Sequence, residues 1–318
     1  MVSGTEWPGG DPFLQRQNEP SMAASTRRPC TLLAGANDYR TVDVPGLEEG
    51  EVTGDAWLGV FKSFDCGNTW SSTLLPGYPQ EEPESPGRDS VLYGFAAGAD
   101  PTVRAGTNGM FYYSGIVFDR DDHGLGQVFV SRFIDNNNVE WLGGDSIEYL
   151  GAVAIDTGTS GQFLDKPWLA ADVPRSGAET CAIPPTYPTQ YFDGGNVYIA
   201  YAMFTGKGGS AKIMFSRSTD CGATFSRPIK ISESDSVVQG TSVAIDPDTG
   251  YVFVTWRRIA AGSDPDAIMI AKSENSGQRF TKPIEVASPI FPFAQGTSNI
   301  SFRTLAFPTM AIDGDGRV

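Results

Sequence analysis

Short apolar runs separated by turn residues recur along the whole chain. Trp57-Leu58-Gly59-Val60-Phe61, Lys212-Ile213-Met214-Phe215, Val197-Tyr198-Ile199-Ala200-Tyr201 and Tyr251-Val252-Phe253-Val254-Thr255-Trp256 are examples. Each run is rich in β-branched and aromatic residues and is bounded by Gly, Pro, Asp or Asn, which is the pattern of strands joined by tight turns. Runs with apolar residues at helical spacing are absent, so the pattern predicts an all-β chain.

The turns themselves repeat. Ser63-Phe64-Asp65-Cys66-Gly67-Asn68-Thr69-Trp70 reads S-x-D-x-G-x-T-W, and Ser218-Thr219-Asp220-Cys221-Gly222-Ala223-Thr224-Phe225 is a second copy. Ser273-Glu274-Asn275-Ser276-Gly277-Gln278-Arg279-Phe280 is a third, and the segment ending Asp135-Asn136-Asn137 is a decayed fourth. The chemistry is that of a hairpin turn. The Asp or Asn side chain accepts downstream backbone N–H groups, Gly supplies a positive φ, and the aromatic residue packs back on the sheet.

A second repeat, x-P-x-[ML]-A, interleaves with the first at Glu19-Pro20, Lys166-Pro167 and Phe307-Pro308, with looser copies at Asp100-Pro101 and Gly240-Thr241. Each copy opens a strand that leads through a turn into another. One unit is therefore strand, turn, strand, loop, strand, Asp turn, strand. Four-stranded units repeated in this way predict the blades of a β-propeller. Residues 18–318 would hold four blades and the start of a fifth, of a ring of about six, with residues 1–17 as an N-terminal extension.

Composition narrows the partners. Lys plus Arg is 23 against 38 Asp plus Glu, a net charge of −15 over 318 residues. Such a chain repels phosphate backbones, which argues against nucleic acid as a partner. No apolar run approaches the ~20 residues of a membrane-spanning helix. A single histidine, no G-x-S-x-G and no Cys/His metal spacing argue against a triad hydrolase or a zinc enzyme. Asp119-Arg120-Asp121-Asp122-His123 lacks the spacing of a calcium loop and reads as a solvated turn. No metal and no cofactor is expected.

The S-x-D-x-G-x-T-[WF] copies resemble the Asp-box, or BNR repeat, of the sialidase superfamily of β-propellers, from roughly Glu19 to Val318. The resemblance implies that Ser63, Asp65, Gly67, Thr69, Trp70, Ser218, Asp220, Gly222, Thr224, Phe225, Ser273, Asn275, Gly277 and Phe280 are structural, on the side of the blades away from catalysis. It also implies three arginines gripping a sugar carboxylate, a Tyr nucleophile paired with Glu, and an Asp acid/base. The first of those arginines lies in an R-I-P motif; here that place reads Asn18-Glu19-Pro20, without it.

In an antiparallel meander, the Asp turns occupy one end of each blade. The 2–3 loops and the connections between blades occupy the other, which is free to bind a ligand. The inner strands begin at that second end with Glu19, Asp100 and Lys166, and near Arg303. Alternation puts Asp100, Thr102 and Arg104 on one side. An axial Arg104 needs a partner, which Asp100 or Glu19 could supply, either as a channel-closing salt bridge or as a catalytic or anion-gripping site. Asp38 and Asp43 follow the second strand, where the resemblance places the acid/base. Glu19, Asp38 and Asp43 are thus the candidate catalytic carboxylates, and Arg40, Arg104, Arg303, Lys166 and Asp100 the candidate substrate-binding residues.

Cys66 and Cys221 hold the same position in two Asp turns. Cys30 and Cys181 lie in the 1–2 connections of the same two blades. Repeat symmetry selects Cys30–Cys66 and Cys181–Cys221 from the three connectivities; the alternative is four buried thiols. Disulfides imply an extracellular or periplasmic location. Met1 to Trp7 has neither a basic nor an apolar signal region, so any signal would lie outside this sequence. Two functions follow: a sialidase-like exo-glycosidase acting on a glycan or glycoconjugate, or a non-catalytic propeller holding a glycan or a protein ligand on its loop face.

Overall fold

The computed structural model describes residues 17–39, 55–119, 125–136, 146–183, 189–206, 210–233, 237–259, 265–288 and 306–318. Its strands form four four-stranded antiparallel sheets, each in meander order. The first holds β1 (Gln17–Ala24), β2 (Leu32–Asp38), β3 (Trp57–Ser63) and β4 (Ser71–Leu74). The second holds β5 (Ala97–Ala105), β6 (Met110–Phe118), β7 (Gly126–Asp135) and β8 (Ile147–Gly158). In the third, β9 (Gln162–Ala171) is separated along the chain from its partner by a small hairpin of β10 (Thr180–Ala182) and β11 (Tyr191–Asp193). That partner is β12 (Val197–Thr205), followed by β13 (Ser210–Ser218) and β14 (Ile229–Lys230). The fourth holds β15 (Val237–Ile245), β16 (Val252–Ile259), β17 (Ala267–Ser273) and β18 (Ile284–Ala287).

Strand alternation explains the long apolar runs. On β6, Met110, Tyr112 and Ile116 pack into the core shared with the third sheet, while Phe111, Tyr113 and Val117 pack into the core shared with the first. On β12, Val197, Ile199 and Tyr201 face the second sheet, and Tyr198, Ala200 and Ala202 face the fourth. A sheet buried on both faces has no polar side, so its strands read as continuous apolar segments. The cores therefore lie between sheets, as in a propeller, and the four inner strands stand side by side. Val103 N–H donates to Ser21 Oγ at 2.9 Å and Thr102 Oγ1 to the Pro167 carbonyl at 3.0 Å, which ties one inner strand to the next.

The three Ser-x-Asp/Asn turns share one hydrogen-bond pattern. Ser63 Oγ donates to Asp65 Oδ1 at 2.9 Å and accepts from Gly67 N–H at 2.9 Å, while Thr69 donates to Asp65 through its N–H and its hydroxyl. Ser218, Asp220, Gly222 and Thr224 repeat every contact. Ser273, Asn275 and Gly277 keep the backbone part, with Arg279 N–H in the place of Thr. Trp70 Nε1 closes its turn on the Gly67 carbonyl, and Phe280 packs edge-on against Phe215 at 4.7 Å. Disulfides join Cys30 to Cys66 and Cys181 to Cys221, the connectivity that repeat symmetry selects.

Asp135, where the decayed fourth turn is expected, ends β7, and the Ser25 hydroxyl of the first sheet donates to its carboxylate; residues 137–145 lie outside the described residues. One expectation needs correcting. Phe307–Ala311 is not a strand, because no segment among the described residues pairs with it. It nonetheless runs beside β15, with Phe307 lying over Gly240 and Gly316 reaching Asp246.

Candidate functional site

Every inner strand breaks register at the same place. The breaks fall between Asn18 and Ser21, between Ala99 and Thr102, across from Ala200 and Ala202 on β9, and between Gln239 and Ser242. At these bulges Glu19, Asp100 and Lys166 have φ of 53°, 60° and 48°, and Gly240 has 71°. A proline follows the first three; it tolerates a bulge because the ladder donor it lacks is not needed there. Left-handed backbone suits glycine, as in the fourth sheet, and costs an ordinary residue roughly 1–2 kcal/mol. Three charged residues nevertheless hold it. Strain of this kind persists where surrounding contacts over-determine it, and it gathers at functional sites.

The contacts here are ionic and join three sheets. Lys166 Nζ donates to Glu19 Oε1 at 2.6 Å and to Asp100 Oδ1 at 2.7 Å. Lys166 N–H also points at Asp100 Oδ2, at 3.4 Å. Asp100 N–H donates to Asn37 Oδ1 at 2.9 Å, and Asn37 Nδ2 donates to Asn18 Oδ1 at 2.8 Å. The circuit thus runs from Glu19 through the third and second sheets and back to its own chain neighbour. The Asp100 side chain is 10% exposed and that of Glu19 is 42%, so the pair has a covered member and an open one.

Their electrostatics differ from those of free side chains. A hydrogen bond with Asp100, then burial, then the charge of Asp100, raise the Glu19 carboxyl above its ordinary value, against the pull of Lys166. Burial draws the Lys166 ammonium down, but its two carboxylate partners outweigh this and hold it above the ordinary lysine value. The site therefore brings two carboxyl groups, one of them with a raised pKa, together around one cation, a pairing suited to acid–base chemistry on a glycosidic oxygen.

Of the residues singled out in the sequence, Glu19, Asp100 and Lys166 come together. Arg104 does not join them. Its expected partner role is taken by Lys166, because the bulge turns Asp100 towards the third sheet. Arg104 instead stacks over the Trp168 ring at 4.7 Å and donates to the Val103 carbonyl at 2.7 Å, and burial lowers its pKa. Asp38 is the last residue of β2 and is wholly buried. A Cβ at Gly59 would stand 2.7 Å from its Oδ2, so its carboxylate fills a place that only glycine leaves open. Burial first, and the Asp38 charge second, push the Tyr113 phenol up. Arg40, Asp43 and Arg303 lie outside the described residues.

Other participants were not singled out. Asn37 carries the link between the first two bulges. Gln239 Nε2 donates to Asp165 Oδ2 across the third and fourth sheets. Asn18, Asp165 and Gln239 each sit two places before the Pro or Thr of the second repeat, so the repeat itself held a signal for them. Asn37 had none, since its partners are distant in sequence. Arg257 at the end of β16 pairs with Asp266 at 2.9 Å and donates to the Ala306 carbonyl, which seats Phe307. Among the described residues no cluster of His, Cys, Asp and Glu could hold a metal ion.

No family model and no curated protein sequence matches the chain. Solved structures do. The GH93 alpha-L-arabinofuranosidase of Fusarium graminearum, solved with arabinobiose, is 15% identical with a TM-score of 0.50, over 85% of this chain and 66% of that one. An alpha-L-arabinanase of Penicillium chrysogenum, also with arabinobiose, is 13% identical with a TM-score of 0.49, over 88% and 70%. The Trypanosoma rangeli sialidase in complex with the inhibitor DANA is 14% identical with a TM-score of 0.47, over 85% and 38%. The chain thus spans about two thirds of the arabinofuranosidase and much less of that sialidase. The likeness is one of fold: the chain is a β-propeller of four-stranded antiparallel blades, of the type found in glycoside hydrolases.

Proposed function

We propose that this propeller hydrolyses a glycosidic bond at the mouth formed by its inner-strand bulges. The observation that carries the reading is the convergence of Glu19, Asp100 and Lys166, each held in strained backbone at equivalent points of three blades. Glu19, open to solvent and raised in pKa, is the general acid. Its proton passes to the glycosidic oxygen as the C–O bond breaks. Water adds to the anomeric carbon, and the water's proton restores the carboxyl. Asp100, held by the ammonium and the backbone N–H of Lys166, is the fixed carboxylate that faces the developing positive charge. Asn37 keeps Asp100 in place. The partner is a glycan or glycoconjugate. The two disulfides support an oxidising compartment, extracellular or periplasmic. Among the described residues no helix is long and apolar enough to cross a membrane. Residues 18–318 are read as one propeller unit.

The test is a panel of fluorogenic glycosides with the whole chain and its Glu19→Gln variant. The variant is expected to lose turnover by ~100-fold or more, with binding retained. Saturable glycan binding without turnover by the parent chain overturns the catalytic reading in favour of a binding propeller. Undiminished turnover by Glu19→Gln removes Glu19 from the mechanism.

A further inference from the structure

We infer that the mouth selects an uncharged sugar residue and excludes one that carries a carboxylate. This rests on the hydrolytic reading above and concerns the charge of the residue that enters.

With Glu19 carrying its proton as the general acid, the Lys166 ammonium is neutralised by Asp100, so the circuit at the axis offers no net positive charge to an anion. Asp165, next to Lys166 on β9, adds a further acidic group whose partner Gln239 is neutral. Two of the described cations at this end of the blades are committed elsewhere. Arg257 is bound to Asp266 and the Ala306 carbonyl, and Arg258 to Glu285 at 2.9 Å and the Pro265 carbonyl. Arg104 has no carboxylate within ion-pair distance among the described residues, but it lies four residues further along β5 than Asp100, over Trp168. In a partly covered mouth, like charges repel more strongly than in bulk water, so the arrangement works against an anionic sugar. The neutral amides of Asn18 and Gln239 at the rim suit hydroxyl groups instead.

The experiment measures kcat/KM of the whole chain for 4-methylumbelliferyl glycosides, with α-L-arabinofuranoside, β-D-galactoside and β-D-xyloside as uncharged probes and the α-sialoside as the anionic one. The best uncharged probe is expected to exceed the sialoside by at least about tenfold. Asp165→Asn removes one negative charge while keeping an oxygen for Gln239, and is expected to narrow that ratio several-fold. A sialoside turned over as well as every uncharged probe overturns this inference and leaves the hydrolytic reading standing. An uncharged preference that Asp165→Asn does not move overturns its electrostatic origin. No turnover and no saturable binding with any probe overturns both readings.

Discussion

The two ends of the blades use the same backbone conformation for different purposes. At the hairpin end, Cys66, Cys221 and Ser276 have φ of 60°, 53° and 53°. At the axial end, Glu19, Asp100 and Lys166 have φ of 53°, 60° and 48°. At the hairpin end, the contacts that hold the strain come mainly from within each eight-residue turn: a Ser hydroxyl, an Asp or Asn oxygen and backbone N–H groups. At the axial end, Lys166 meets Glu19 147 residues away and Asp100 66 residues away. Local satisfaction makes a turn that folds by itself and can be copied from blade to blade. Long-range satisfaction makes a site whose charges exist in that geometry only once three blades have assembled.

The largest expected effect is at the hairpin end. Replacing Cys221 by Ser opens a link spanning 40 residues, which should cost about 3–4 kcal/mol, read from denaturant unfolding. Glycoside turnover at low denaturant should stay unchanged. A loss of turnover in a folded variant would break the separation of the two ends.

Acid titration should distinguish them next. Burial raises the Asp220 carboxyl, but donation from Thr224 and Ser218 outweighs this and leaves it below its ordinary value of 3.8. Its contribution is therefore present above that value and is lost as pH falls through the folded pKa. Glu19 runs the other way, since its carboxyl is raised above 4.5. It costs nothing below that value, and its penalty appears as pH rises through the folded pKa. Asp220→Ala should cost about 1–2 kcal/mol at pH 7, and less below pH 3.8. Glu19→Gln should gain stability relative to the parent as pH rises above 4.5. Unfolding curves at a series of pH values check both signs, and parallel pH profiles would sink the contrast.

The smallest effect concerns the backbone alone. Ser276→Gly relieves a left-handed residue and keeps the carbonyl that accepts from Arg217, giving up only a hydroxyl contact with Tyr198, and should gain about 0.5 kcal/mol in Tm-derived stability. Asp100→Gly relieves the same strain but removes the Lys166 partner and should show no such gain. Equal gains would mean that the axial charges contribute nothing to holding their bulges.

The hairpin end was legible in the sequence because its determinants sit within eight residues of one another. Ser63, Asp65, Gly67 and Thr69 can be read together, and their repetition at Ser218 and Ser273 exposed the blade order and paired the cysteines. The axial end was legible only in part. The x-Pro repeat marked Glu19, Asp100 and Lys166 as equivalent, but gave no sign that a bulge would turn them towards one another. Strand alternation alone therefore points the carboxylates to Arg104 rather than to Lys166. Asp38, seen as a loop residue, proved to be buried beneath Gly59, a contact that no spacing along the chain encodes.

By itself, then, the sequence determined most of the blade strands, their meander order, the turn chemistry and the disulfide connectivity, because hydrophobic period, turn propensity and repetition act over short stretches of chain. Only the tertiary structure decided which charges meet at the axis, since that depends on how inner strands from separate blades stand beside one another and on where each one bulges. Lys166 sits between Glu19 and Asp100 through the packing of three sheets, and distance along the chain carries no trace of it.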